Sequence, residues 1–340
     1  MRAGDPTGTE RRKGAGRPAL AAVLTLAVVA VTAHRVGPAE GSERVSVRVG
    51  LPSSNAAFLS LYLAAERTAP AEQLDLELTT LRAGAGLAPA LASGSVDVGV
   101  ASLNTVTKLV GAGEDVKVFY GGLSYADAAW FSRPPVRTWE DLRGRTVAIP
   151  TFGGYVHLLA QRALRKRGLT LGQDVHVARM GSDTTLQALV AGRIDAALLS
   201  LPFSWEAQTR GLARLGNETE VLGTVWPKNL FFAKTRFLES QPAGIRALLR
   251  AHVRALRLAK ADPALAADTL VRRVGYSPAA AEHAVREVVG KLSERGEVPA
   301  DSLRMFWEVM VETGEESAAW PEARYLDRRL IDSFETWAPP

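Results

Sequence analysis

Hydrophobic and polar residues alternate along two short stretches of the chain, and each stretch is followed by a turn and then by a helical pattern. In the first stretch Val45, Val47 and Val49 alternate with arginine, serine and glycine, which predicts a β-strand. The two strand–turn–helix units cover residues 43–51, 52–55 and 56–66, and then residues 145–149, 150–154 and 155–167. Strands that alternate with helices in this way are typical of α/β proteins.

The two units lie in a constant register of 98 residues, so that Val49 corresponds to Val147 and Pro52 to Pro150. A second pair of segments keeps this offset: ALASGSVD at residues 90–97 matches ALVAGRID at residues 188–195, and the apolar runs that follow end at Ser102 and Ser200. Two separated matches in one register predict two similar lobes. Each lobe should have a mainly parallel sheet with right-handed crossovers.

Two pairs of residues in the matching segments have predicted structural roles. Gly94 and Gly192 stand where a helix ends and where a left-handed residue is favoured. Asp97 and Asp195 come just before short apolar strands. We expect their carboxylates to anchor a neighbouring turn or backbone amide rather than to perform chemistry.

The rest of the chain predicts a first lobe made of two separate segments. A strand over residues 115–120 leads to the candidate hinge Gly121-Gly122, residues 138–141 fit a capping box, and residues 230–233 return to the first lobe. Residues 235–337 show only helical patterns and should cover the first lobe. The predicted fold class is α/β, with two mixed, mainly parallel sheets joined by two crossovers. Lobe 1 comprises residues 43–123 and 226–340, and lobe 2 comprises residues 124–225.

The first 42 residues have a different character from the rest of the chain. A basic head at residues 1–17 precedes an uncharged apolar run at residues 19–33 that ends in Val31-Thr32-Ala33. This order predicts a secretory signal cleaved after Ala33, and hence a periplasmic or extracytoplasmic protein. An uncleaved membrane anchor is the alternative, although a span needs about 20 apolar residues. A lipid anchor is not expected because no cysteine follows the run.

The positive charge is concentrated at the N-terminus. The formal net charge is +5, of which +3 lies in residues 1–17 and only +2 in the remainder. Four arginines share one face of a predicted helix at residues 244–260, namely Arg246, Arg250, Arg254 and Arg257. We interpret them as the solvated face of an amphipathic helix rather than as a membrane or nucleic-acid surface. No nucleic-acid partner is therefore expected.

Four loops at the carboxyl ends of the predicted strands supply candidate binding residues, because ligands of open α/β sheets bind at these ends. Each loop precedes a predicted helix, whose free amides and dipole favour an anionic group such as sulfonate, carboxylate or nitrate. Aromatic side chains in the loops suit an apolar part of a ligand. The candidate residues are Ser53, Ser54, Asn55, Ser102, Asn104, Thr105, Thr151, Phe152, Gly153, Gly154, Tyr155, Ser200, Pro202 and Trp205.

A catalytic set is not evident in the sequence. The chain has no cysteine, no Gly-x-Ser-x-Gly turn and no phosphate-binding loop, and its five histidines lack metal-ligand spacing. His157 lies one turn into a helix beside the candidate site, and we interpret it as a structural histidine. We therefore expect neither an enzyme nor a bound cofactor or metal.

Four segments carry a family resemblance. They are Val47–Leu51 followed by LYLAAE at residues 61–66, ASGSVDVG at 92–99, DLRGRTVA at 141–148 and AGRIDAA at 191–197. In this order, residues 44–335 resemble the extracytoplasmic substrate-binding proteins of ABC importers, specifically the nitrate, sulfonate, taurine and thiamine-pyrimidine-precursor group. The resemblance implies a type II periplasmic-binding fold whose cleft closes on a small-molecule ligand. It also implies delivery to an ABC permease powered by a separate ATPase. We expect a monomer.

One departure from the family pattern leaves the ligand open. The family commonly has a glycine and an aromatic residue after LAAE, whereas this chain continues with residues 67–70, RTAP. Three alternatives also remain open. They are a carrier for a thiamine pyrimidine precursor, a membrane-tethered ligand sensor, and a pyrimidine-synthase-like enzyme that uses His157 or His176. The related synthases use a cysteine-rich motif, so the absence of cysteine counts against the enzyme.

Overall fold

Two five-stranded sheets organise the computed structural model, which describes residues 44–81, 84–123 and 126–340 but not the side chains of Ser182 and Asp183. The strands are β1 (Val45–Leu51), β2 (Leu74–Thr80), β3 (Val98–Ala101), β4 (Val116–Gly121), β5 (Ala128–Ser132), β6 (Thr146–Ile149), β7 (His176–Arg179), β8 (Ala196–Ser200), β9 (Ala213–Asn217) and β10 (Leu230–Lys234). The strand orders are β2-β1-β3-β10-β4 in the first sheet and β7-β6-β8-β5-β9 in the second.

Helices flank both sheets. They are α1 (Leu59–Leu63), α2 (Leu87–Ser93), α3 (Leu103–Gly111), α4 (Tyr155–Arg165), α5 (Ser182–Val190), α6 (Phe203–Thr209), α7 (Glu218–Leu222), α8 (Thr235–Ser240), α9 (Pro242–Ala261), α10 (Pro263–Val274), α11 (Pro278–Val288), α12 (Ala300–Glu312), α13 (Arg329–Asp332) and α14 (Phe334–Trp337). Short 3-10 turns occur at Ala56–Phe58, Ala69–Glu72, Gly84–Gly86, Glu140–Leu142, Val289–Lys291 and Glu322–Arg324, and Ala64–Thr68 forms a π turn.

Both sheets have the same topology. In each sheet the fourth strand, β10 or β5, runs antiparallel to both neighbours, whereas the first three strands are parallel. The chain passes between the sheets twice, from β4 to β5 and from α7 to β10. The α/β fold class predicted from the sequence is confirmed.

The 98-residue register extends to individual hydrogen bonds. Asp97 Oδ2 accepts the backbone N–H of Arg48 at 3.0 Å, and Asp195 Oδ2 accepts the backbone N–H of Thr146 at 2.8 Å. These hydrogen bonds lie beside the parallel pairing of β1 with β3 in the first sheet and of β6 with β8 in the second sheet. The predicted anchoring role of the two carboxylates is therefore confirmed, as each fixes the start of a parallel strand pair.

Three apolar clusters hold the sheets and helices together. One packs β1, α1 and α9–α11 on one face of the first sheet. A second extends from the other face of that sheet, through Trp226 and Phe306, to a face of the second sheet that includes Trp130. A third covers the opposite face of the second sheet, where Phe131 points away from its neighbour Trp130, as alternation along β5 requires.

Several local predictions agree with the structure. Gly94 and Gly192 have φ angles of +70° and +72°, as predicted for helix ends. The helical run predicted over residues 56–66 is present but not uniform: the segment starts as a 3-10 turn, continues as α1 and ends in a π turn. Pro70 lies just after this turn, and because proline has no backbone N–H, it cannot donate the next hydrogen bond of a regular α-helix.

The C-terminal helices do more than cover the first sheet. Residues of α12 belong to the cluster that extends to the second sheet, and Glu312 of α12 forms ion pairs with Arg162 and Arg165 of α4. The arginine face of α9 is also engaged, because Arg250 and Arg254 both bind Glu72. The face is thus partly an internal polar contact and not simply solvated.

The predicted secretory signal and linker lie outside the described residues. Within the ranges given above, no helix combines the length and the apolar character needed to span a bilayer.

Candidate functional site

The strand-end loops of the two sheets meet each other. β1 and β3 run parallel, as do β6 and β8, so each pair delivers its following loops to one edge of its sheet. Direct hydrogen bonds join α3, which follows β3, to the loop after β6. The polar loops predicted from the sequence therefore lie where the two sheets approach each other.

A narrow gap separates these loops near the ends of β1 and β8. It is too narrow to hold a water molecule, so the two sides are in close contact. Two predicted residues, Asn55 and Ser200, line it from opposite sheets. The wall consists of Asn55, Ala56, Ala57, Asp127, Ser200, Leu201 and Val288.

Tyr276, between α10 and α11, connects the two sides of the gap. Its hydroxyl donates a hydrogen bond to the carbonyl of Leu201 at 2.7 Å and accepts one from the backbone N–H of Ala56 at 3.1 Å. The side chain is buried, and this burial raises the pKa of Tyr276 well above its ordinary value. A neutral hydroxyl thus joins the loop after β1 to the end of β8.

A second connection centres on the carbonyl oxygen of Gly153 in the loop after β6. Asn104 Nδ2 donates to it at 3.3 Å and Lys108 Nζ at 2.7 Å, and both donors lie on α3. Gly153 has a φ of +61°, and a Cβ at this position would lie only 2.3 Å from Lys108 Nζ. Glycine is favoured here by the left-handed backbone conformation, whereas Lys108 Nζ is the end of a flexible side chain that could move away from a Cβ.

His157 supports the same loop from within α4. Its Nδ1 accepts the backbone N–H of Gly153 at 3.0 Å, so this nitrogen carries no proton in the arrangement. Burial lowers the pKa of His157, with a smaller opposing effect from Glu315 and a lowering one from Lys108. Phe152 packs edge-on against the imidazole ring at 5.3 Å. These contacts agree with the interpretation of His157 as a structural residue.

A buried ionic cluster lies where the two connections between the sheets come together. Lys228 Nζ contacts Asp127 Oδ1, Glu218 Oε1 at 2.5 Å and the hydroxyl of Tyr155 at 3.0 Å. Asp127 belongs to the connection from β4 to β5, whereas Lys228 belongs to the connection from α7 to β10. Among the described residues Lys228 is the only lysine or arginine in the buried class, at 7% exposure.

Burial and charge act in opposite directions in this cluster. Burial alone would lower the pKa of Lys228, but Asp127 and Glu218 together raise it above its ordinary value. Burial raises the pKa of Glu218 to about 7, against the opposing effect of Lys228. The ammonium is therefore the persistent charge of the cluster, and Glu218 is the group that titrates near neutrality.

The predicted residues of the first loop make mainly local contacts. Asn55 Oδ1 caps the turn that follows by accepting the N–H of Ala57 at 2.9 Å, and Asn55 Nδ2 donates to Ser53 Oγ at 3.0 Å. Ser54 Oγ lies 3.0 Å from Thr80 Oγ1 at the end of β2. This loop is thus organised by its own side chains, as capping residues organise a helix start.

The next two loops are organised in a similar way. Ser102 Oγ donates to Asn104 Oδ1, and the N–H of Thr105 donates to the carbonyl of Ser102 at 2.9 Å. In the loop after β6, the carbonyl of Thr151 accepts the N–H of Gly154 at 3.3 Å. Asn104 is the member of this group that also reaches across to the second sheet.

The larger predicted side chains are dispersed around the site. Tyr155 lies within it, bonded to Lys228, and Pro202 is buried before α6. Phe152 is 57% exposed at the rim. Trp205 stacks on His283 of α11 at 5.4 Å, a contact between a helix of the second sheet and one packed on the first. These aromatic residues therefore do not form one continuous wall.

Sequence reasoning missed four polar residues that connect the two sides of the site. Asp127, Glu218, Lys228 and Tyr276 all lie outside the four predicted loops. Asp127 and Lys228 lie in stretches without a periodic pattern. The only feature of the sequence that could have pointed to them is their position close to the two predicted crossovers.

Other features of the described residues do not add to this site. No three histidine, cysteine, aspartate or glutamate side chains in this part of the chain are placed to hold a metal ion. A surface groove of about 610 Å³ lies between α4 and α12. None of the predicted residues lines it; its described wall consists of Arg162, Arg304, Trp307, Glu308, Val311, Glu312 and Ala319.

The sequence was compared with known families and curated proteins. The model of the family described as NMT1/THI5 like matches residues 55–266, which is more than half of the chain. No curated protein matches the sequence.

Solved structures share the fold at low sequence identity. The alkanesulfonate-binding protein SsuA from Xanthomonas axonopodis pv. citri, bound to MOPS, is 21% identical with a TM-score of 0.68, covering 84% of this chain and 99% of that one. The periplasmic aliphatic sulphonate binding protein SsuA from Escherichia coli is 19% identical with a TM-score of 0.65, covering 83% and 92%. The periplasmic nitrate-binding protein NrtA from Synechocystis PCC 6803 is 11% identical with a TM-score of 0.70, covering 86% and 88%. The periplasmic-binding protein fold expected from the sequence is confirmed.

Proposed function

Because this chain belongs to the NMT1/THI5-like family, we propose that it is the extracytoplasmic solute-binding protein of an ABC importer. It captures a small organic anion of the sulfonate, taurine or nitrate type between the two sheets and delivers it to a membrane permease that a separate ATPase powers. The similar proteins from Xanthomonas axonopodis and Synechocystis are alkanesulfonate- and nitrate-binding proteins, which supports this ligand class.

The observation that carries the proposal is the buried ammonium of Lys228 at the junction of the two connections. A buried lysine is costly unless anions meet it, and in this structure Asp127 and Glu218 do so. Its contact with Tyr155 connects it to the loop after β6, and its contact with Asp127 connects it to the wall of the gap. Lys228 is the cation we assign to attract an anionic ligand.

Binding requires the two sheets to separate, because the gap is too narrow for a ligand in this structure. We propose that lobe 1 (residues 43–123 and 226–340) and lobe 2 (residues 124–225) move as units about the two connections. The hinge includes Gly121-Gly122, whose N–H groups donate to Gly296 and Asn229 carbonyls at 2.8 Å and 2.9 Å. Of the fourteen loop residues predicted from the sequence, we place Asn55, Asn104, Gly153, Tyr155 and Ser200 against the ligand, because they lie at the contacts between the two sheets. Phe152 lies at the rim, and Trp205 stacks on His283.

The N-terminal segment fits this function as an export signal cleaved after Ala33, without a lipid anchor, and the mature protein acts as a monomer. N-terminal sequencing of the exported protein tests this part. An N-terminus at His34 in the exported protein supports a free carrier, whereas a protein that still contains residues 1–33 supports a membrane-tethered sensor.

A second candidate ligand is a thiamine pyrimidine precursor, since one observation favours a hydrogen-bond donor on the ligand. The carboxylate of Asp127 lines a gap whose other walls are mainly alanine, leucine and valine. An aminopyrimidine offers N–H groups to such a carboxylate and a flat face to apolar walls.

Thermal-shift screening followed by calorimetry tests the proposal. The screen contains ethanesulfonate, taurine, nitrate and an aminopyrimidine. We expect one of the anions to raise the melting temperature of the wild type. Lys228→Gln should abolish this rise, whereas Lys260→Gln, an exposed lysine of α9, should retain it. Tyr155→Phe keeps every charge and should weaken binding more mildly, which covers the case in which Lys228→Gln does not fold. The anion proposal is wrong if only the aminopyrimidine binds or if Lys228→Gln binds the anion normally.

A further inference from the structure

The ionic cluster at the junction contains more acid than base. Glu218 is 0% exposed and Lys228 7%, and the side chain of Asp127 is only 11% exposed, so little solvent reaches any of its three charged members. One ammonium can neutralise only one of the two carboxylates. A surplus negative charge in such a place is strongly disfavoured, so the cluster needs one more positive charge or one proton.

The geometry identifies the oxygen that lacks a partner. Lys228 has three N–H donors, and they are directed to Asp127, Tyr155 and Glu218 Oε1. Glu218 Oε2 is buried and has no hydrogen-bond partner. A protonated carboxyl group satisfies this arrangement, because its neutral form tolerates an unpaired oxygen far better than a carboxylate does.

No second cation faces Glu218 from the described elements around it. The two connections contribute Asp127 and Lys228, and α4 contributes the neutral hydroxyl of Tyr155. Lys166, at the end of α4, donates to the carbonyl of Val221 at the far end of α7. The proton is therefore the remaining means of balancing the charge.

We propose that Glu218 carries a proton when the lobes close on an anionic ligand, so that binding of the anion is coupled to the uptake of one proton. This inference rests on the proposed function. With Glu218 ionised, the cluster has a net charge of −1 and repels an anion, whereas with Glu218 protonated the cluster is neutral and Lys228 can face the anion. Glu218 thereby determines the pH range over which the site accepts an anion.

The direction of the Glu218 pKa agrees with this coupling. Burial raises that pKa to about 7, so the proton is held below neutrality and released above it. A bound anion beside the cluster raises the pKa of Glu218 further. By linkage, the affinity for the anion is then constant at low pH and decreases by about tenfold per pH unit above the pKa of the unliganded protein.

Difference infrared spectroscopy of the protein without added ligand tests the proton itself. We expect a C=O stretch of a buried protonated carboxyl group that disappears as the pH rises through about 7. Glu218→Gln should remove this band. The control Glu282→Gln, which alters a glutamate that is 65% exposed on α11, should leave it in place. A wild type without the band, or a band that persists in Glu218→Gln, overturns the proposal.

Calorimetry with ethanesulfonate and taurine as probes tests the coupling. In two buffers of different ionisation enthalpy, the wild type should take up about half a proton per anion bound at about pH 7 and close to one at about pH 8, and Glu218→Gln should take up none. Binding without proton uptake, or with equal pH dependence in both proteins, overturns the coupling. If neither probe nor nitrate binds, the proposed function fails, whereas the infrared titration still decides whether Glu218 holds the proton.

Discussion

The hydroxyl of Tyr276 offers a test of how the two sheets are held together. Tyr276→Phe removes one oxygen and retains the ring, so that apolar packing is preserved. The oxygen is the partner of both the Ala56 N–H and the Leu201 carbonyl, at 3.1 Å and 2.7 Å. In the variant, the Ala56 N–H and the Leu201 carbonyl both lose this partner as long as the two sheets remain in contact.

The size of the effect follows from these two bonds. A net hydrogen bond contributes about 1 kcal/mol, and a buried group left unpaired costs about 1–3 kcal/mol. We expect Tyr276→Phe to cost about 2 kcal/mol, which corresponds to a decrease in melting temperature of about 3 °C for a protein of this size. Part of this cost is relieved when the lobes separate, so the ratio of open to closed protein should rise by up to about 30-fold.

Two measurements on the same samples test this reasoning. Scanning calorimetry gives the melting temperature, and small-angle X-ray scattering gives the radius of gyration, which should increase in Tyr276→Phe. Tyr325→Phe is the matched control, because it removes a buried hydroxyl that accepts Trp307 Nε1 at 3.1 Å, away from the gap. The control should lose stability without any change in radius. Equal radii for wild type and Tyr276→Phe, together with an unchanged melting temperature, would refute the role of Tyr276.

Three further predictions concern stability. His252 is buried and its pKa is lowered to about 4, so the stabilisation present above about pH 6.5 should be lost as the pH falls towards 4, by up to about 3 kcal/mol; His252→Leu should remove this dependence in acid denaturation curves. Asp97→Ala and Asp195→Ala should each cost about 2 kcal/mol in urea unfolding, because each leaves a strand-start amide unpaired, and a neutral effect of either would contradict the equivalence of the two lobes. Glu72→Gln should cost about 1–2 kcal/mol in thermal unfolding by weakening two arginine contacts, whereas Arg246→Gln, exposed on the same helix, should have no measurable effect.

The local elements and their repetition could be predicted from the sequence because each rests on short-range physics. Alternation of side chains along β1, the left-handed glycines Gly94 and Gly192, and the anchoring carboxylates Asp97 and Asp195 each depend on a few neighbouring residues. The 98-residue register then linked these signals into two similar sheets, and residues 230–233 return to the first sheet as expected.

The arginines of α9 show where such reasoning ends. Their spacing correctly places them on one helical face, and a solvated face is the natural expectation for four positive charges. The partner of Arg250 and Arg254, Glu72, lies in a 3-10 turn before β2, far away in the sequence. Periodicity describes one helix at a time and contains no information about the element that packs on it.

The sequence by itself determined the α/β class, the two sheets in register and the loops at their strand ends, because these depend on local periodicity and on the conformational preferences of single residues. Only the tertiary structure decided the candidate site at the junction, where Asp127, Glu218 and Lys228 meet. These residues lie far apart in the sequence, and no local pattern shows that their charged groups meet. Their charge balance, and with it the proposed preference for an anion, exists only once the chain has crossed twice between the sheets.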